Sequence, residues 1–543
     1  MGRRTIANAS PARALASALA SLLAVAWVAS LFRLAIRLHR LDLGGGGGGV
    51  GRLGEDDRRV RGGSEDVHVV FSTDCSGYQH WQSIASYYSL RRAGHAGSIT
   101  RIVSGCTRER EGEIRSELRY LGAGGRSSSS SSSSSSLSLG LHFTPSHALG
   151  GGRYKYSNKP GGMLDWIVNR TTTTTGASDG SSEVVALVDP DMLAMRPVVS
   201  GLGEGLTPRP VDGEGYRDLV EYVDDRGNVA LLRRGGLPPL PPRVADGIAA
   251  GQHFGLGGMW ASAGTNRAGP DFRDFDLTSV CGKGSPCLNV PRDDGAAHTT
   301  RELADASYAA GPIYIATTGD WFALLHRWYD FTPRVHAQYP KLLAEMFAFA
   351  MAAADMRLKF ALSSSYMVSD PHTMSMTESW MWIDEYGEAV QPTNAEGNKE
   401  DRRGKSLRRV CEGSTPDSLP IVTTRRMENY GYGNYRNRRR RNRHDGVKAA
   451  LPTFLHYCQN YKLANHTFAK RKVPHDFFRC DGSLLAFDVS AMVKELDSIE
   501  DDVALSSIDR KRRTRTGFML CHIIPLMNMA LIDYKRDVCE KKA

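Results

Sequence analysis

Uninterrupted apolar runs along the chain predict buried strands, and apolar positions at helical spacing between them predict helices. Residues 184–188 are a run of this kind and 67–71 are interrupted only by His68, which is typical of strands that are covered on both faces of a parallel sheet. Residues 98–103 are predicted to be a second strand. The segment after residues 67–71 carries apolar residues at helical spacing, namely Trp81, Ile84, Ala85 and Tyr88. This alternation predicts an α/β fold with a ligand site at the carboxyl edge of its sheet.

The second half of the body is predicted to be richer in helix. Residues 312–360 are predicted to be mostly helical, because a broad apolar face recurs there and alanines favour helix. Glu345 falls among the apolar positions of that face, where a carboxylate is costly to bury unless it is paired. A last amphipathic helix is predicted from about 518 to 537, with Pro525 kinking it or delaying its start.

The first 66 residues are predicted to lie outside the folded body. Residues 1–13 are predicted to be a cytosolic tail and 14–32 a transmembrane signal anchor, because that stretch is apolar, uncharged and long enough to cross a bilayer. A cleaved signal peptide is the alternative, and basic residues on both sides do not settle the orientation. Residues 33–66 contain a glycine run and many charges, which predict a flexible stem.

Low-complexity segments interrupt the body, which is predicted to comprise 67–390 and 449–543. A serine tract and a threonine run mark inserts near 121–140 and 171–182. The polar, basic stretch 391–448 is predicted to be a disordered insert.

The composition is that of a globular protein, and the distribution of charge along the chain does not favour nucleic-acid binding. Hydrophobic residues make up 41% and charged residues 24% of the chain. Much of the net charge of +10 lies in two arginine-rich runs, 436–443 and 510–515. Both runs are predicted to be solvated loops, so no nucleic-acid partner is expected.

The cysteines and sequons indicate an oxidising compartment. Nine cysteines fit a lumen in which disulfides persist. The candidate pairs are Cys281 with Cys287, Cys458 with Cys480 and Cys521 with Cys539. Two sequons, which begin at Asn169 and Asn465, are possible glycan sites if the body is lumenal.

The strand at 184–188 ends in Asp189-Pro190-Asp191. Two carboxylates at the carboxyl end of a buried strand suit Mg²⁺ or Mn²⁺, which in turn can hold a diphosphate. A turn in which an aspartate acts as a cap is the alternative without metal. An aspartyl nucleophile of the haloacid-dehalogenase type is disfavoured, because Leu193 stands where those phosphatases carry Thr or Val.

Four further blocks, taken with this motif, resemble the hydroxyproline O-arabinosyltransferase-like proteins and the related peptidyl-serine α-galactosyltransferases of plants and algae. The blocks are Phe71-Ser72-Thr73-Asp74-Cys75 with Trp81-Gln82 and Ile99-Thr100-Arg101; Asn158-Lys159-Pro160 with Leu164 and Trp166; Leu343-Ala344-Glu345-Met346-Phe347-Ala348-Phe349; and Leu455-His456-Tyr457-Cys458-Gln459. The stretch 518–539 resembles the closing helix of that family. The resemblance implies a GT-A-like nucleotide-sugar-binding fold.

The resemblance also implies roles for individual residues. Asp189 and Asp191 would bind the cation with His456 as the third ligand, and Glu345 would face the sugar or the acceptor. The candidate catalytic residues are therefore Asp189, Asp191 and Glu345. The candidate donor-binding residues are Thr73, Asp74, Arg101, Lys159 and Lys470.

Several of these residues have a structural alternative. Asp74 could cap the helix that follows it, and Lys159 could be a surface lysine beside a prolyl turn. Lys470 could belong to a solvated basic loop, His456 could be a partly buried, hydrogen-bonded histidine, and Glu345 could form a structural ion pair.

The function implied is that of a metal-dependent, membrane-anchored glycosyltransferase, retaining by resemblance. It would move arabinose or galactose from a UDP donor to a hydroxyproline or serine hydroxyl of secreted or cell-wall glycoproteins. The expected location is the Golgi or endoplasmic reticulum membrane, with a single type II span and a lumenal body. The alternative is a catalytically inert, membrane-tethered protein of the same fold that binds carbohydrate or peptide.

Overall fold

The computed structural model of the chain describes residues 67–121, 137–173, 183–200, 207–210, 219–223, 229–233, 243–254, 258–265, 268–288, 304–305, 307–363, 366–373, 378, 380, 383, 411, 426–427, 447–448 and 452–541. The predicted tail, membrane span and stem lie outside the described residues, as does most of each predicted insert.

Seventeen strands occur in the described residues. In chain order they are β1 His68–Asp74, β2 Ile99–Ser104, β3 Leu139–Thr144, β4 Val184–Val188, β5 Met192–Ala194, β6 Thr207–Pro210, β7 Leu219–Val223, β8 Val229–Arg233, β9 Ile248–His253, β10 Ala310–Thr317, β11 Lys359–Ser363, β12 Met367–Val368, β13 Arg426–Met427, β14 Val447–Lys448, β15 Phe454–His456, β16 Asn460–Leu463 and β17 His466–Ala469.

Ten of these strands form one mixed sheet in the order β3-β2-β1-β4-β10-β9-β11-β8-β7-β6. Strand β1 pairs in parallel with β2 and with β4, and β2 pairs in parallel with β3. Strand β10 is antiparallel to both β4 and β9. The predicted strands of the first half are therefore neighbours in the sheet. Since Phe71 pairs in parallel with Val188, the carboxyl ends of β1 and β4, which carry Asp74 and Asp189, lie at the same edge of the sheet.

The helices of the described residues are α1 Gly77–Arg92, α2 Arg108–Leu118, α3 Asn158–Thr173, α4 Leu277–Cys281, α5 Thr318–Gln338, α6 Ala344–Asp355, α7 Val489–Asp501 and α8 Ser507–Tyr534. Helix α1 begins after Ser76, whose side chain accepts a hydrogen bond from the Gln79 N–H and so satisfies one free donor of the first turn. All four predicted apolar positions of α1 are fully buried. The mixed α/β class and this helix are thus confirmed.

A second sheet has three strands and places β15, from the C-terminal part of the chain, beside β5, which directly follows β4. Strand β15 lies between β12 and β5, and His456 pairs with Met192. The Tyr457 N–H also donates to the carbonyl of Asp191 at 3.1 Å. This pairing brings residues that are far apart in sequence to one edge of the large sheet.

The prediction that 312–360 is mostly helical is wrong at its start. Residues up to Thr317 belong to strand β10, all eight residues of which are buried. The Thr317 side chain then caps α5 by accepting a bond from the Asp320 N–H. A wholly apolar run of this length does not distinguish a central strand from a buried helix, and the sheet neighbours decided it.

The arginine run 510–515 was predicted to be a solvated loop, and this is wrong. It forms the first half of α8, which begins at Ser507 rather than near 518 and continues through Pro525. Arg515 is buried, donates to the Thr373 carbonyl at 2.6 Å and lies over the Trp380 ring at 5.4 Å from its centroid. Carbonyl and aromatic partners make a buried guanidinium tolerable.

One predicted disulfide, Cys281–Cys287, is confirmed. The other two are wrong, because Cys480 pairs with Cys539 and Cys521 pairs with Cys411. A further bridge joins Cys75 to Cys106, and within the described residues Cys458 is a free thiol. Spacing along the chain does not determine which thiols meet in space.

Among the described residues, one helical segment is long and apolar enough to cross a membrane, Ser507–Cys539. Within the protein, 83% of its most apolar window is buried, as is usual for the core helix of a globular body. The predicted span at 14–32 lies outside the described residues.

Candidate active site

Three groups of the kind that bind divalent cations meet at the carboxyl edge of β4. Asp189 and Asp191 flank Pro190 in the turn from β4 to β5, and His456 ends β15. One ligand atom from each lies within 4.8 Å of the other two. Two carboxylates and an imidazole suit Mn²⁺ or Mg²⁺, so the predicted metal ligands are brought together.

Asp191 is buried between two cationic side chains. Its Oδ1 lies 3.3 Å from His456 Nε2, and its Oδ2 accepts from Lys470 Nζ at 2.5 Å. Burial alone would raise the pKa of Asp191, but His456 and Lys470 outweigh it and hold that pKa well below its usual range. Lys470 is thus an ion-pair partner of the motif and not part of a solvated loop.

Asp189 is linked to Glu345 through one lysine. Lys159 Nζ lies 2.8 Å from Asp189 Oδ1 and 2.9 Å from Glu345 Oε1. The Lys159 side chain is only 12% exposed, so the surface-lysine alternative is wrong. Burial disfavours the ammonium, but the two carboxylates dominate and raise the pKa of Lys159.

The backbone of Glu345 is held by hydrogen bonds to neighbouring side chains, and one of its carboxylate oxygens makes no hydrogen bond within the described residues. Glu345 lies in the first turn of α6, its N–H donates to the Tyr154 hydroxyl at 2.9 Å, and its carbonyl accepts from the Trp328 indole at 2.7 Å. Within the described residues its buried Oε2 has no hydrogen-bond partner. Burial raises the pKa of Glu345, although Lys159 opposes the shift.

Two of the candidate donor-binding residues are held between β1 and β2. The Thr73 hydroxyl donates to the Ile102 carbonyl at 2.9 Å and accepts from Arg101 Nε at 3.0 Å. Arg101 is fully buried, with its Nη1 2.8 Å from His80 Nδ1. These bonds hold the end of β1 against β2. Donor binding by Thr73 or Arg101 stays a prediction.

Asp74 lies at the carboxyl end of β1 and supports the start of α1. Its carboxylate accepts from the Ser76 N–H at 2.9 Å and from Lys155 Nζ at 2.9 Å. Burial raises its pKa, but the bonds from Ser76 and Lys155 outweigh that and lower it. The cap itself is Ser76, and a contact of Asp74 with a nucleotide stays a prediction.

Sequence reasoning missed the aromatic residues on the turn before α3. Tyr154 bonds the first turn of α6, and Tyr156 is 46% exposed beside it. The sequence feature that could have indicated them is that Tyr154 and Tyr156 lie two residues apart, just before the Asn158-Lys159-Pro160 block.

Comparison with known proteins supports the predicted resemblance. No protein-family model matches the chain. A peptidyl serine alpha-galactosyltransferase of Arabidopsis thaliana is 28% identical over 148 residues, which are 27% of this chain and 15% of that protein. The protein of the same name from Chlamydomonas reinhardtii is 27% identical over 183 residues, 33% of this chain and 20% of that protein.

The predicted resemblance to this plant and algal family is confirmed by these two relatives. The matched regions span a fifth or less of the length of the relatives. Among solved structures, the apo structure of the WbbM bifunctional glycosyltransferase covers 57% of this chain and 41% of its own, at 11% identity and a TM-score of 0.26. That similarity is too low to bear on the fold.

We predict that Asp191→Asn weakens Mn²⁺ binding by roughly 100-fold or more, because losing a charged direct ligand should cost at least as much as losing an outer-shell partner, for which about 10- to 100-fold is typical. The amide keeps the shape of the side chain but loses the negative charge. Isothermal titration with Mn²⁺ measures the effect, with Asp476→Asn as the matched control because that carboxylate is 62% exposed. An unchanged dissociation constant in Asp191→Asn would exclude Asp191 as a ligand.

Metal affinity is predicted to rise with pH. Burial lowers the pKa of His456, but Cys458 and Asp191 outweigh it and raise that pKa, so in the absence of metal the protonated form of the imidazole is favoured. An imidazole must lose its added proton before it can bind a metal, so binding releases a proton and the affinity rises by up to about tenfold per pH unit below the pKa of His456. Calorimetric titrations at pH 6, 7 and 8, each in two buffers of different ionisation enthalpy, measure the metal affinity and the number of protons released on binding. A dissociation constant independent of pH would contradict this assignment.

Proposed function

We propose that this protein is a glycosyltransferase with a GT-A-like body, which transfers arabinose or galactose from a UDP donor to a hydroxyproline or serine hydroxyl of a polypeptide. The single observation that carries the proposal is the convergence of Asp189, Asp191 and His456 at the carboxyl edge of β4. In open α/β sheets this edge is where ligands bind. The names of the two relatives support the reaction class.

Asp189, Asp191 and His456 would hold Mn²⁺ or Mg²⁺. When bound, such an ion neutralises the diphosphate and stabilises the departing nucleotide as a Lewis acid. Lys470 is already at the site, where its ammonium can pair with phosphate oxygens. Because it contacts Asp191 at 2.5 Å, Lys470 has to share or leave that carboxylate when a cation binds.

Glu345 is the residue that we assign to the acceptor hydroxyl. Its raised pKa makes it a better proton acceptor than an exposed carboxylate, and its Oε2 is free of hydrogen bonds to the described residues. Lys159 keeps Oε1 in place. Glu345 would therefore receive the proton of the attacking hydroxyl while Lys159 holds the carboxylate in position. A direct attack of this kind would invert the anomeric configuration, in place of the retention that the resemblance implies.

We also propose that the body is lumenal, in the Golgi or endoplasmic reticulum, behind a single type II span at 14–32. Four disulfides in the described residues support an oxidising compartment. The acceptors would then be secreted or cell-wall glycoproteins.

A donor panel tests the reaction. We expect the wild-type protein with Mn²⁺ to transfer one sugar from UDP-galactose or UDP-arabinofuranose to a hydroxyproline-rich or serine-rich peptide, read out by product mass. Glu345→Gln should lower the turnover by roughly 100-fold or more, the contribution typical of a positioned proton acceptor. Glu113→Gln, at a side chain 62% exposed, should not change it.

Two results would contradict the proposal. Absence of transfer with every donor, despite Mn²⁺ binding, would favour the inert binding protein. Full activity in Glu345→Gln would leave the enzyme standing but remove Glu345 from the chemistry.

A glycan at Asn465 tests the compartment. Asn465 lies in the turn between β16 and β17, and both Asn465 and Thr467 are exposed, on the same side of the strand by its two-residue period. Asn169 instead lies within α3, where its Nδ2 donates to the Asp165 carbonyl at 2.8 Å.

In a eukaryotic secretory cell, glycosidase treatment should shift the mass of the full chain, and Asn465→Gln should abolish that shift. Asn169→Gln is the matched control and should leave the shift in place. No shift in the wild-type chain would contradict a lumenal body.

A further inference from the structure

A buried tyrosine hydroxyl lies near the two ion pairs that Lys159 makes. Tyr314 belongs to β10, its side chain is fully buried, and within the described residues its hydroxyl makes no hydrogen bond. Burial raises the pKa of this phenol, Lys159 opposes the shift, and Glu345 and Asp189 add to it. The hydroxyl is therefore close enough to these ion pairs for all three charges to act on it.

The sheet and two helices fix the position of the Tyr314 side chain. Tyr314 pairs with Leu187, the next-to-last residue of β4. The centroid of its ring lies 4.0 Å from that of Phe349 on α6 and 6.1 Å from that of Trp328 on α5. Since α6 also carries Glu345, the packing of these rings keeps the Tyr314 side chain beside the helix that presents this carboxylate.

Three groups around this point have hydrogen-bonding capacity that the described residues do not use. Glu345 Oε2 is buried and, like the Tyr314 hydroxyl, has no partner there. The Lys159 ammonium has three donors, and its ion pairs with Asp189 and Glu345 take two of them. Buried polar groups without partners are costly and therefore uncommon in folded proteins. Together these groups offer an acceptor, a donor and a hydroxyl that can act as either.

One enclosed water molecule suits these groups better than a cation or an apolar molecule. The Tyr314 hydroxyl makes no direct hydrogen bond to Glu345 or Lys159, although both charges act on it, and polar groups at such separations are often bridged by water. A buried water makes about three hydrogen bonds, which matches the groups present. The Lys159 ammonium would repel a cation, and an apolar molecule would leave all three groups unpaired.

We propose that Tyr314 is a positioning residue for Glu345 and acts through one enclosed water molecule, held by the Tyr314 hydroxyl, Glu345 Oε2 and Lys159. Its effect on catalysis rests on the proposed function, whereas the water bridge does not. Lys159 fixes Oε1 directly and the bridge fixes Oε2, so the carboxylate plane cannot rotate. A carboxylate oxygen has two lone pairs, and the second one on Oε2 stays available to the acceptor hydroxyl.

The melting temperature tests the bridge without any enzyme activity. Tyr314→Phe keeps the ring and removes the hydroxyl. If water connects the hydroxyl to Glu345, the variant should melt about 1 to 4 °C below the wild-type protein, because hydrogen bonds within a charged network are lost. A hydroxyl without any partner would give the opposite sign, since its removal relieves a buried unpaired group. An equal or higher melting temperature therefore overturns the bridge.

A double-mutant cycle tests whether the effect runs through Glu345. Glu345→Met removes both carboxylate oxygens at similar side-chain length. In that background Tyr314→Phe should lower the melting temperature by less than half as much, because groups that share one water are energetically coupled. Equal effects of Tyr314→Phe in the two backgrounds overturn the bridge. Should Glu345→Met fail to fold, the sign of the shift in Tyr314→Phe alone decides.

Tyr88→Phe is the matched control. Tyr88 is also fully buried, its hydroxyl also has no hydrogen-bond partner in the part of the chain that the structure describes, and it lies on α1. Its effect on the melting temperature should be the same with and without Glu345→Met, because distant sites are additive.

Kinetics test the positioning role. Tyr314→Phe should lower the kcat for sugar transfer by roughly 3- to 30-fold, a part of the roughly 100-fold that a displacement of about 1 Å can cost. The KM values for the UDP-sugar and the peptide should change by less than about twofold, because the enclosed hydroxyl touches neither substrate. Tyr88→Phe should change none of these constants. An unchanged kcat, or a loss confined to KM, overturns the positioning role.

The two measurements separate failure of this inference from failure of the proposed function. If the wild-type protein transfers no sugar but the effects on melting temperature are coupled, the bridge stands and the proposed reaction fails. If sugar is transferred but Tyr314→Phe melts no lower than the wild-type protein, or melts lower by the same amount in both backgrounds, the bridge fails and the proposed function stands.

Discussion

The pairing of buried and partly buried carboxylates with cationic side chains at the end of β4 is the constraint on which the rest of the site depends. Asp191 is compensated by His456 and Lys470, and Asp189 by Lys159. A carboxylate removed from water without such partners is strongly unfavourable. The chain therefore has to bring β15, the turn after β17 and the start of α3 to the same edge of the sheet, and these are the elements that build the site.

The same pairing sets how the site would respond to a cation. Lys470 and a metal ion would compete for Asp191, and Lys159 and a metal ion for Asp189, so the observed affinity would be a difference between two favourable interactions. Each lysine released from a carboxylate becomes available to an anionic ligand. If a cation binds as proposed, its binding would be coupled to the appearance of positive charge, which suits an anionic ligand such as a diphosphate.

Glu345 shows how a local pattern anticipates a tertiary contact. A glutamate on an otherwise apolar helical face is costly to bury without a partner, and in the structure Lys159 binds one of its oxygens while the other has no partner among the described residues. The identity of the partner was not predictable, because Lys159 belongs to a helix 186 residues earlier in the chain. Arg515 is the opposite case. The arginine-rich run that contains it predicts a solvated loop, but in the structure Arg515 packs against Trp380 and donates to the Thr373 carbonyl.

By itself, the sequence determined the parallel strands β1, β2 and β4, helix α1, the acidic turn after β4 and the residue types of the candidate metal site, because hydrophobic periodicity and short motifs are local properties. Tertiary structure alone decided which disulfides form, that the run 310–317 is a strand, and that Tyr154 and Lys159 bond to Glu345. Those features depend on contacts between segments that are distant along the chain, and no local pattern encodes which surface a buried group will meet.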